Sequence, residues 1–197
     1  MNPLTGQSSK LMRLIFLALF GAISMVLMFL SFPLPLLPPY LEVDFSDVPA
    51  LLAAILLTPA AGIIVEALKN GLYLIYTGAG DPIGILANFM AGVLFVFPVG
   101  LIYHKFKSEK SIKTGLVIGS LTMALGMAVL NYLIILPAYS WFMGWEMSAQ
   151  VKGYTVLTGI LPFNALKALI VSVLFALLFI KMKPWIEQKR TRSSSAA

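Results

Sequence analysis

The sequence predicts an all-α integral membrane protein with six transmembrane helices and with both termini in the cytoplasm. Hydrophobic residues make up 59% of the 197-residue chain and charged residues only 11%, whereas a soluble domain carries about 25% charged residues. The apolar segments also recur at lengths near the roughly 20 residues that span a bilayer. We therefore predict a single six-helix transmembrane domain over residues 1–189, and a disordered, basic and serine-rich tail at 190–197.

The first predicted helix covers residues 11–31. The proline-rich segment 32–40 follows, and its prolines exclude a regular helix because they lack an N–H and fix φ. This segment is too apolar for a solvated loop, so we expect it to pack across a mouth of the protein. The other helices are predicted at 49–57, with Asp47 as N-cap, and at 60–76, 82–103, 114–136 and 157–181.

The helix lengths and the segments between the helices give further predictions. Helices 49–57 and 60–76 are short for a span, so we expect one of them to be tilted or met by re-entrant backbone. Pro137 is predicted to end the fifth helix, and residues 106–113 to form a basic loop. Trp141 and Trp145 indicate an interfacial aromatic loop over 138–154.

The basic residues predict the orientation. The net charge of +6 could indicate nucleic-acid binding, but most lysines and arginines lie in three segments that six spans place on one side. The positive-inside rule makes that side cytoplasmic, so the charge is explained by topology and no nucleic-acid partner is predicted. These residues are Lys10, Arg13, Lys105, Lys107, Lys110, Lys113, Lys181, Lys183, Lys189, Arg190 and Arg192.

The sequence argues against an enzyme. The chain has no cysteine and one histidine, His104, beside lysines at a helix end. The sequence contains no Walker, H-E-x-x-H or G-x-S-x-G motif. We therefore predict no catalytic residue, no metal site and no ATP hydrolysis by this chain itself, so energised transport would need another subunit or an ion gradient.

Four polar residues fall at similar depth in three predicted helices. With a rise of 1.5 Å per residue, Asn88, Asn131 and Asn164 lie roughly 8–10 Å below the outer helix ends, and Lys167 about one turn deeper. A charge at such a depth costs roughly 2.5–3.5 kcal/mol on insertion scales, and no acidic residue is expected at the level of Lys167. Each amide could simply join two helices, but their coincidence favours a polar ligand pocket.

Two further patterns are weaker. Glu66 and Lys69 are spaced i,i+3 and can pair with each other, with Asn70 as a possible third member. Ala18 and Ala22 form a small-xxx-small element, which lets another helix approach closely.

At these positions the chain resembles the substrate-binding S components of energy-coupling factor (ECF) vitamin transporters, and within them the riboflavin-specific group. The resemblance covers nearly the whole chain. Its most specific parts are the D-F-S-D-V-P run at 44–49 and the P-F-N-x-x-K run at 162–167. The other matching residues are 32–35, Gly62, Glu66, Lys69, Asn70, Asn88, Phe89 and Gly92.

The resemblance implies a six-helix protein of the bacterial cytoplasmic membrane that captures riboflavin from outside as its transported ligand, with no cofactor. Asn131, Asn164 and Lys167 would bond the flavin ring edge or its ribityl hydroxyls, while Tyr40 and Leu41 would cap the ring. It also implies partners: a transmembrane coupling subunit, on which Ala18 and Ala22 would dock, and two ATPase subunits.

Other readings stay open at this point. The ligand could be flavin mononucleotide or another vitamin, although a single lysine offers little positive charge to bind a phosphate dianion. A stand-alone secondary transporter is disfavoured because the sequence has no internal repeat and no convincing ion site apart from Glu66. A small intramembrane enzyme is disfavoured by the missing motifs.

Overall fold

The structure is a computed structural model, and it describes the backbone of residues 3–194 and the side chains of residues 10–182. The described chain is almost entirely helical, with one two-stranded hairpin. The helices are α1 Pro3–Met28, α2 Asp47–Leu56, α3 Pro59–Tyr76, α4 Pro82–Phe106, α5 Glu109–Leu130, α6 Leu136–Met143, α7 Ala149–Thr155 and α8 Leu161–Ser194; the strands are β1 Phe32–Pro33 and β2 Glu42–Val43.

Four helical stretches in the described residues are long and apolar enough to cross a membrane: Lys10–Met28, Pro82–Phe106, Glu109–Met143 and Ala149–Met182. The chain is therefore a multi-helix membrane protein. Helices α2 and α3 are not among these four stretches: α2 has only 10 residues, whereas α3 has 18 residues that include the polar Glu66, Lys69 and Asn70. Helix α8 continues to Ser194, and residues 195–197 lie outside the described part, so the predicted domain boundary and disordered tail stay predictions.

Pro137 does not end the fifth helix, contrary to the prediction. One π-helical turn, Asn131–Ile135, joins α5 to α6 without a break. Proline has no N–H to donate and its ring crowds the carbonyl four residues earlier, and a wider turn is one way for a helix to pass such a residue. The helical stretch therefore reaches Met143 and places Asn131 at the widened turn.

The same arrangement occurs in the last helical stretch. A π-helical turn, Val156–Ile160, joins α7 to α8, and Pro162 follows it. Helices α6 and α7 occupy most of the segment that was predicted to be an aromatic loop, and they are separated by residues 144–148. Both π-helical turns are thus followed by a Leu-Pro pair, a sequence signal that was not used in the prediction.

The proline-rich segment folds back on itself as a hairpin. Strands β1 and β2 pair antiparallel, with Phe32 opposite Val43 and Pro33 opposite Glu42. The hairpin then leads into α2, whose N-cap position is held by Ser46, without a side-chain capping bond. Asp47 is the first residue of α2, not its cap, and its carboxylate binds a lysine instead.

Helix α4 lies at the centre of the bundle and packs against α2, α3 and α5. Its fully buried Phe95 and Val99 contact α5 where Gly119 lacks a side chain. A Cβ at Gly119 would lie 2.7 Å from the carbonyl oxygen of Phe95, so the two backbones can approach this closely only at a glycine. This tight centre holds one wall of the candidate site in place.

Candidate ligand-binding cavity and its buried charges

A cavity of about 640 Å³ lies between the hairpin segment and helices α4 to α8. All six side chains predicted to bind ligand border it: Tyr40, Leu41, Asn88, Asn131, Asn164 and Lys167. Its walls are otherwise mainly apolar and aromatic. They include Ala87, Ala91, Met127, Ile135, Leu136, Tyr139, Met143, Trp145, Met147, Val151, Ile160 and Phe163.

The cavity's two buried amides are associated with the π-helical turns: Asn131 begins the first turn, and Asn164, on α8, bonds back to the last residue of the second. Asn131 donates from Nδ2 to the carbonyl oxygen of Met127 at 2.8 Å, and Asn164 donates from Nδ2 to that of Ile160 at 2.8 Å. An asparagine amide carries a second N–H and an acceptor oxygen, and among the described residues neither Asn131 nor Asn164 has another side-chain partner. Both amides are thus held in fixed orientation with hydrogen-bonding capacity left for a ligand.

Lys167 is paired with Asp44, which corrects the expectation that no acid lies at its level. Its Nζ is 2.8 Å from Asp44 Oδ2, and both side chains are almost fully buried. The other oxygen of Asp44 accepts from the backbone N–H of Ser46 at 2.8 Å. Burial alone would raise the pKa of Asp44, but the charges of Lys167 and Lys69 and these hydrogen bonds hold it well below its ordinary value.

A second ion-pair cluster lies behind the cavity wall. Lys69 Nζ is 2.5 Å from Asp47 Oδ1, 2.7 Å from Ser46 Oγ and 2.8 Å from Glu66 Oε2. This confirms the predicted pairing of Glu66 with Lys69 and adds Asp47, which the sequence had indicated only as a cap. Asn70 joins them through its Nδ2, which donates to the backbone carbonyl of Glu66 at 2.9 Å.

The rim of the cavity carries a further polar contact that the sequence did not indicate. The hydroxyl of Tyr139 lies 2.8 and 2.7 Å from the two carboxylate oxygens of Asp81. Asp81 also accepts from the backbone N–H of Gly84 at 2.9 Å and so caps α4. This contact ties the start of α4 to α6 where both border the cavity.

Two groups of residues at the site were not predicted from the sequence. Asp44 is 123 positions from Lys167 and lies in an irregular segment, where no helical period relates one residue to another. Asp81 and Tyr139 come from a turn and from a segment that was predicted to be a loop. The signal for Asp44 was the run of acids next to a proline-rich segment too apolar to be solvated.

Ala18 and Ala22, the predicted docking residues, lie elsewhere. Both are exposed on α1, on a face that also exposes Leu14, Leu19 and Ile23. Neither borders the cavity. In the part of the chain whose side chains are described, no group of three or more acidic or histidine side chains could hold a metal ion.

Membrane-spanning helices around an amide-lined cavity define a membrane-embedded binding protein. The model of the family "ECF transporter, substrate-specific component" matches residues 12–179. The chain therefore belongs to this family of transporter components, which is a family of transport proteins and not of enzymes.

Two curated relatives align with this chain over nearly its full length. The chain is 46% identical over 185 residues to the riboflavin transporter FmnP of Bacillus subtilis (strain 168), covering 92% of this chain and 97% of the relative. It is 40% identical over 176 residues to the riboflavin transporter RibU of Staphylococcus aureus (strain TCH60), covering 89% and 93%.

A solved structure has the same fold. It is described as the S component of a bacterial ECF transporter, is 40% identical to this chain and superposes with a TM-score of 0.78, covering 90% of this chain and 98% of the other. The S-component fold is thereby established.

Proposed function

We propose that this chain captures riboflavin from outside the cell and, with an energising module, mediates its uptake. The observation that carries the proposal is the convergence of Asn131, Asn164 and Lys167 on one mainly apolar cavity. Its volume of about 640 Å³ suits a drug-sized ligand, for which cavities of roughly 300–1,000 Å³ are usual. The two relatives described above carry the name riboflavin transporter.

The chemistry of the cavity suits riboflavin. The flat, largely apolar ring system would lie between the apolar walls, with Tyr40 and Leu41 capping it from the hairpin segment. Its polar edge or its ribityl hydroxyls would bond the amides and the ammonium of Lys167, and Asn88 would add a further polar group. Lys167 uses one of its three N–H donors on Asp44, so two are left for a ligand.

The charges bordering the cavity favour a neutral ligand over flavin mononucleotide. Of the described residues that line it, the charged ones are Glu42, Asp81 and Lys167. Lys167 is already neutralised by Asp44, whereas Glu42 and Asp81 add negative charge at the exposed rim. A phosphate dianion would therefore meet no unpaired cation there, and like charges disfavour its approach.

A titration tests this proposal. Flavin-free protein in detergent is expected to quench riboflavin fluorescence with one-to-one stoichiometry, and more tightly than it binds flavin mononucleotide. Asn131→Ala and Asn164→Ala should each weaken riboflavin binding about three- to tenfold, since a net hydrogen bond contributes about 0.5–1.5 kcal/mol.

Thr122→Val is the matched control, because the Thr122 hydroxyl bonds only within its own helix, to the carbonyl of Ile118, and does not border the cavity. Its affinity should equal that of the wild type. Well-folded wild-type protein that leaves riboflavin unquenched would refute the riboflavin assignment and revive another vitamin as the ligand.

We further propose a six-span topology in the bacterial cytoplasmic membrane with both termini inside. The basic residues near the N-terminus, around the junction of α4 and α5 and in the C-terminal part of α8 support it through the positive-inside rule, with α2 and α3 completing the six. The hairpin segment and the cavity mouth then face outward.

Energy would come from partners: a transmembrane coupling subunit and two ATPases. The sequence offers no nucleotide-binding motif of its own, and the ECF family matched above consists of substrate-specific components. Riboflavin uptake into vesicles that lack any ATPase subunit would instead support a stand-alone secondary transporter.

The exposed face of α1 is the proposed docking surface for the coupling subunit. Ala18→Leu with Ala22→Leu should reduce co-purification of that subunit severalfold, because branched side chains keep a partner helix from close approach. Riboflavin binding by the isolated chain should be unchanged. Ala165→Leu, at an exposed alanine on α8, is the matched control, and equal loss of partner in both proteins would contradict the assignment.

A further inference from the structure

The buried charges at the cavity wall and behind it do not balance in number. Three carboxylates, those of Asp44, Asp47 and Glu66, and two ammonium groups, those of Lys69 and Lys167, are all at most 3% exposed. They form two ion-paired groups, linked by Ser46, which accepts from Lys69 and donates its backbone N–H to Asp44. With every group ionised the cluster would carry one net negative charge, which is costly to bury without a counter-ion.

The same cluster lacks hydrogen-bond donors. Five buried oxygens have no hydrogen-bond partner among the described residues, and they belong to Asp47 (Oδ2), Glu66 (Oε1 and Oε2), Asn70 (Oδ1) and Asn88 (Oδ1). Lys69 uses two of its three N–H donors on Asp47 and Ser46, so at most one is left for the Glu66 oxygen that lies 2.8 Å away. Buried polar groups are normally satisfied, so this part of the structure lacks both hydrogen-bond donors and one positive charge.

Glu66 is the carboxylate group most affected by the lack of hydrogen-bond donors and by the excess negative charge. It is fully buried, and neither of its oxygens accepts a well-oriented hydrogen bond. Asp44 by contrast has both oxygens hydrogen-bonded, and Asp47 has one. The Glu66 carboxyl group also lies directly against α4, where a Cβ on Gly92 would be 2.1 Å from Oε2, so α4 leaves no space for an ion on that side.

We propose that Glu66 is a proton-binding site and that the folded protein holds this residue as a neutral carboxylic acid. The proton, taken from solvent on folding, removes the net charge and gives the cluster an O–H donor for one of its unpaired oxygens. Lys69 then pairs with Asp47 and Ser46, which keeps the linkage through Asp44 to Lys167 at the cavity.

The groups that surround Glu66 define the setting for its titration. Helix α2 contributes Asp47, α3 itself contributes Lys69 and Asn70, and α4 contributes Gly92, which does not titrate. The charge of Lys167 on α8 also acts on Glu66. A proton fits this setting better than a metal cation, because the Lys69 ammonium is 2.8 Å from the carboxylate and would repel one.

Infrared spectroscopy of the full-length protein in lipid tests the proposal. A protonated carboxyl group has a C=O stretch separate from that of carboxylates, and it shifts in deuterium oxide. At neutral pH the wild type should have this band, Glu66→Gln should lose it, and Glu146→Gln, at an exposed glutamate, should keep it. A wild type without the band, or a band that disappears in Asp47→Asn and persists in Glu66→Gln, would overturn the proposal.

Thermal unfolding gives a second readout that does not depend on the band. Glu66→Gln should keep the wild-type midpoint within a few degrees at neutral pH, because glutamine reproduces the neutral acid, whereas Asp47→Asn should lower it. As the pH rises into the alkaline range the wild type should lose stability through deprotonation, and Glu66→Gln should lose less. Equal losses in both proteins, or a wild-type midpoint that depends on sodium at constant ionic strength, would contradict a bound proton.

Discussion

Replacing Lys167 with methionine is expected to weaken riboflavin binding by roughly tenfold to a hundredfold. A hydrogen bond to a charged group contributes about 1.5–3 kcal/mol, and Lys167 is the cation among the described residues that border the cavity. The same change leaves the Asp44 carboxylate buried without its ion-pair partner. Breaking a buried pair from one side costs about 3–5 kcal/mol, so the midpoint of thermal unfolding should fall as well.

A double variant separates these two effects. Lys167→Met with Asp44→Asn removes both charges, and replacing a whole buried pair by neutral groups is often close to neutral for stability. We therefore expect the double variant to regain most of the lost thermal stability but none of the lost affinity. Recovery of wild-type affinity in the double variant would mean that Lys167 supports the fold and does not contact the ligand.

Gly92→Ala is expected to destabilise the protein strongly. A Cβ at this position would lie 2.1 Å from Glu66 Oε2 and 2.3 Å from its Cδ, far inside van der Waals contact. Glu66 is fully buried, with its Oε2 2.8 Å from Lys69 Nζ, so it cannot move aside without disturbing Lys69 and its ion pair with Asp47. Overpacking alone costs about 1–3 kcal/mol, and the midpoint of thermal unfolding should fall by roughly 5–10 °C.

Gly71→Ala is the matched control for that variant. Gly71 lies inside α3, and a Cβ there would meet nothing within 4 Å. Alanine is favoured over glycine in a helix interior by roughly 0.5–1 kcal/mol, so the unfolding midpoint should rise slightly. If both variants lower the midpoint equally, the contact between Glu66 and α4 does not constrain the fold as described.

The cavity residues on the helices could be predicted from the sequence because a helix rises by a fixed amount per residue. That regularity put Asn88, Asn131 and Asn164 at one depth and Lys167 about one turn deeper, and all four border one cavity in the structure. The π-helical turns that orient the two amides were not predicted. Pro137 was predicted to end a helix, whereas the helix forms one wider π-helical turn before it and then continues to Met143.

The charge partners could not be predicted in the same way. Asp44 precedes α2 in a segment without regular periodicity, and its pairing with Lys167 depends on how the hairpin folds back. Asp47 was predicted to be an N-cap because aspartate is favoured at that position, but its carboxylate binds the buried ammonium of Lys69 instead. In an apolar interior the need to neutralise a lysine outweighs a cap that contributes about 1 kcal/mol.

The measurement that tests the account most directly is an experimental structure of the protein with riboflavin bound. We expect the flavin in the cavity between the hairpin segment and α4 to α8, with its polar atoms within hydrogen-bonding distance of Asn131, Asn164 and Lys167. Lys167 should still contact Asp44. A flavin bound elsewhere, or in this cavity without contact to those three side chains, would contradict the proposed mode of capture.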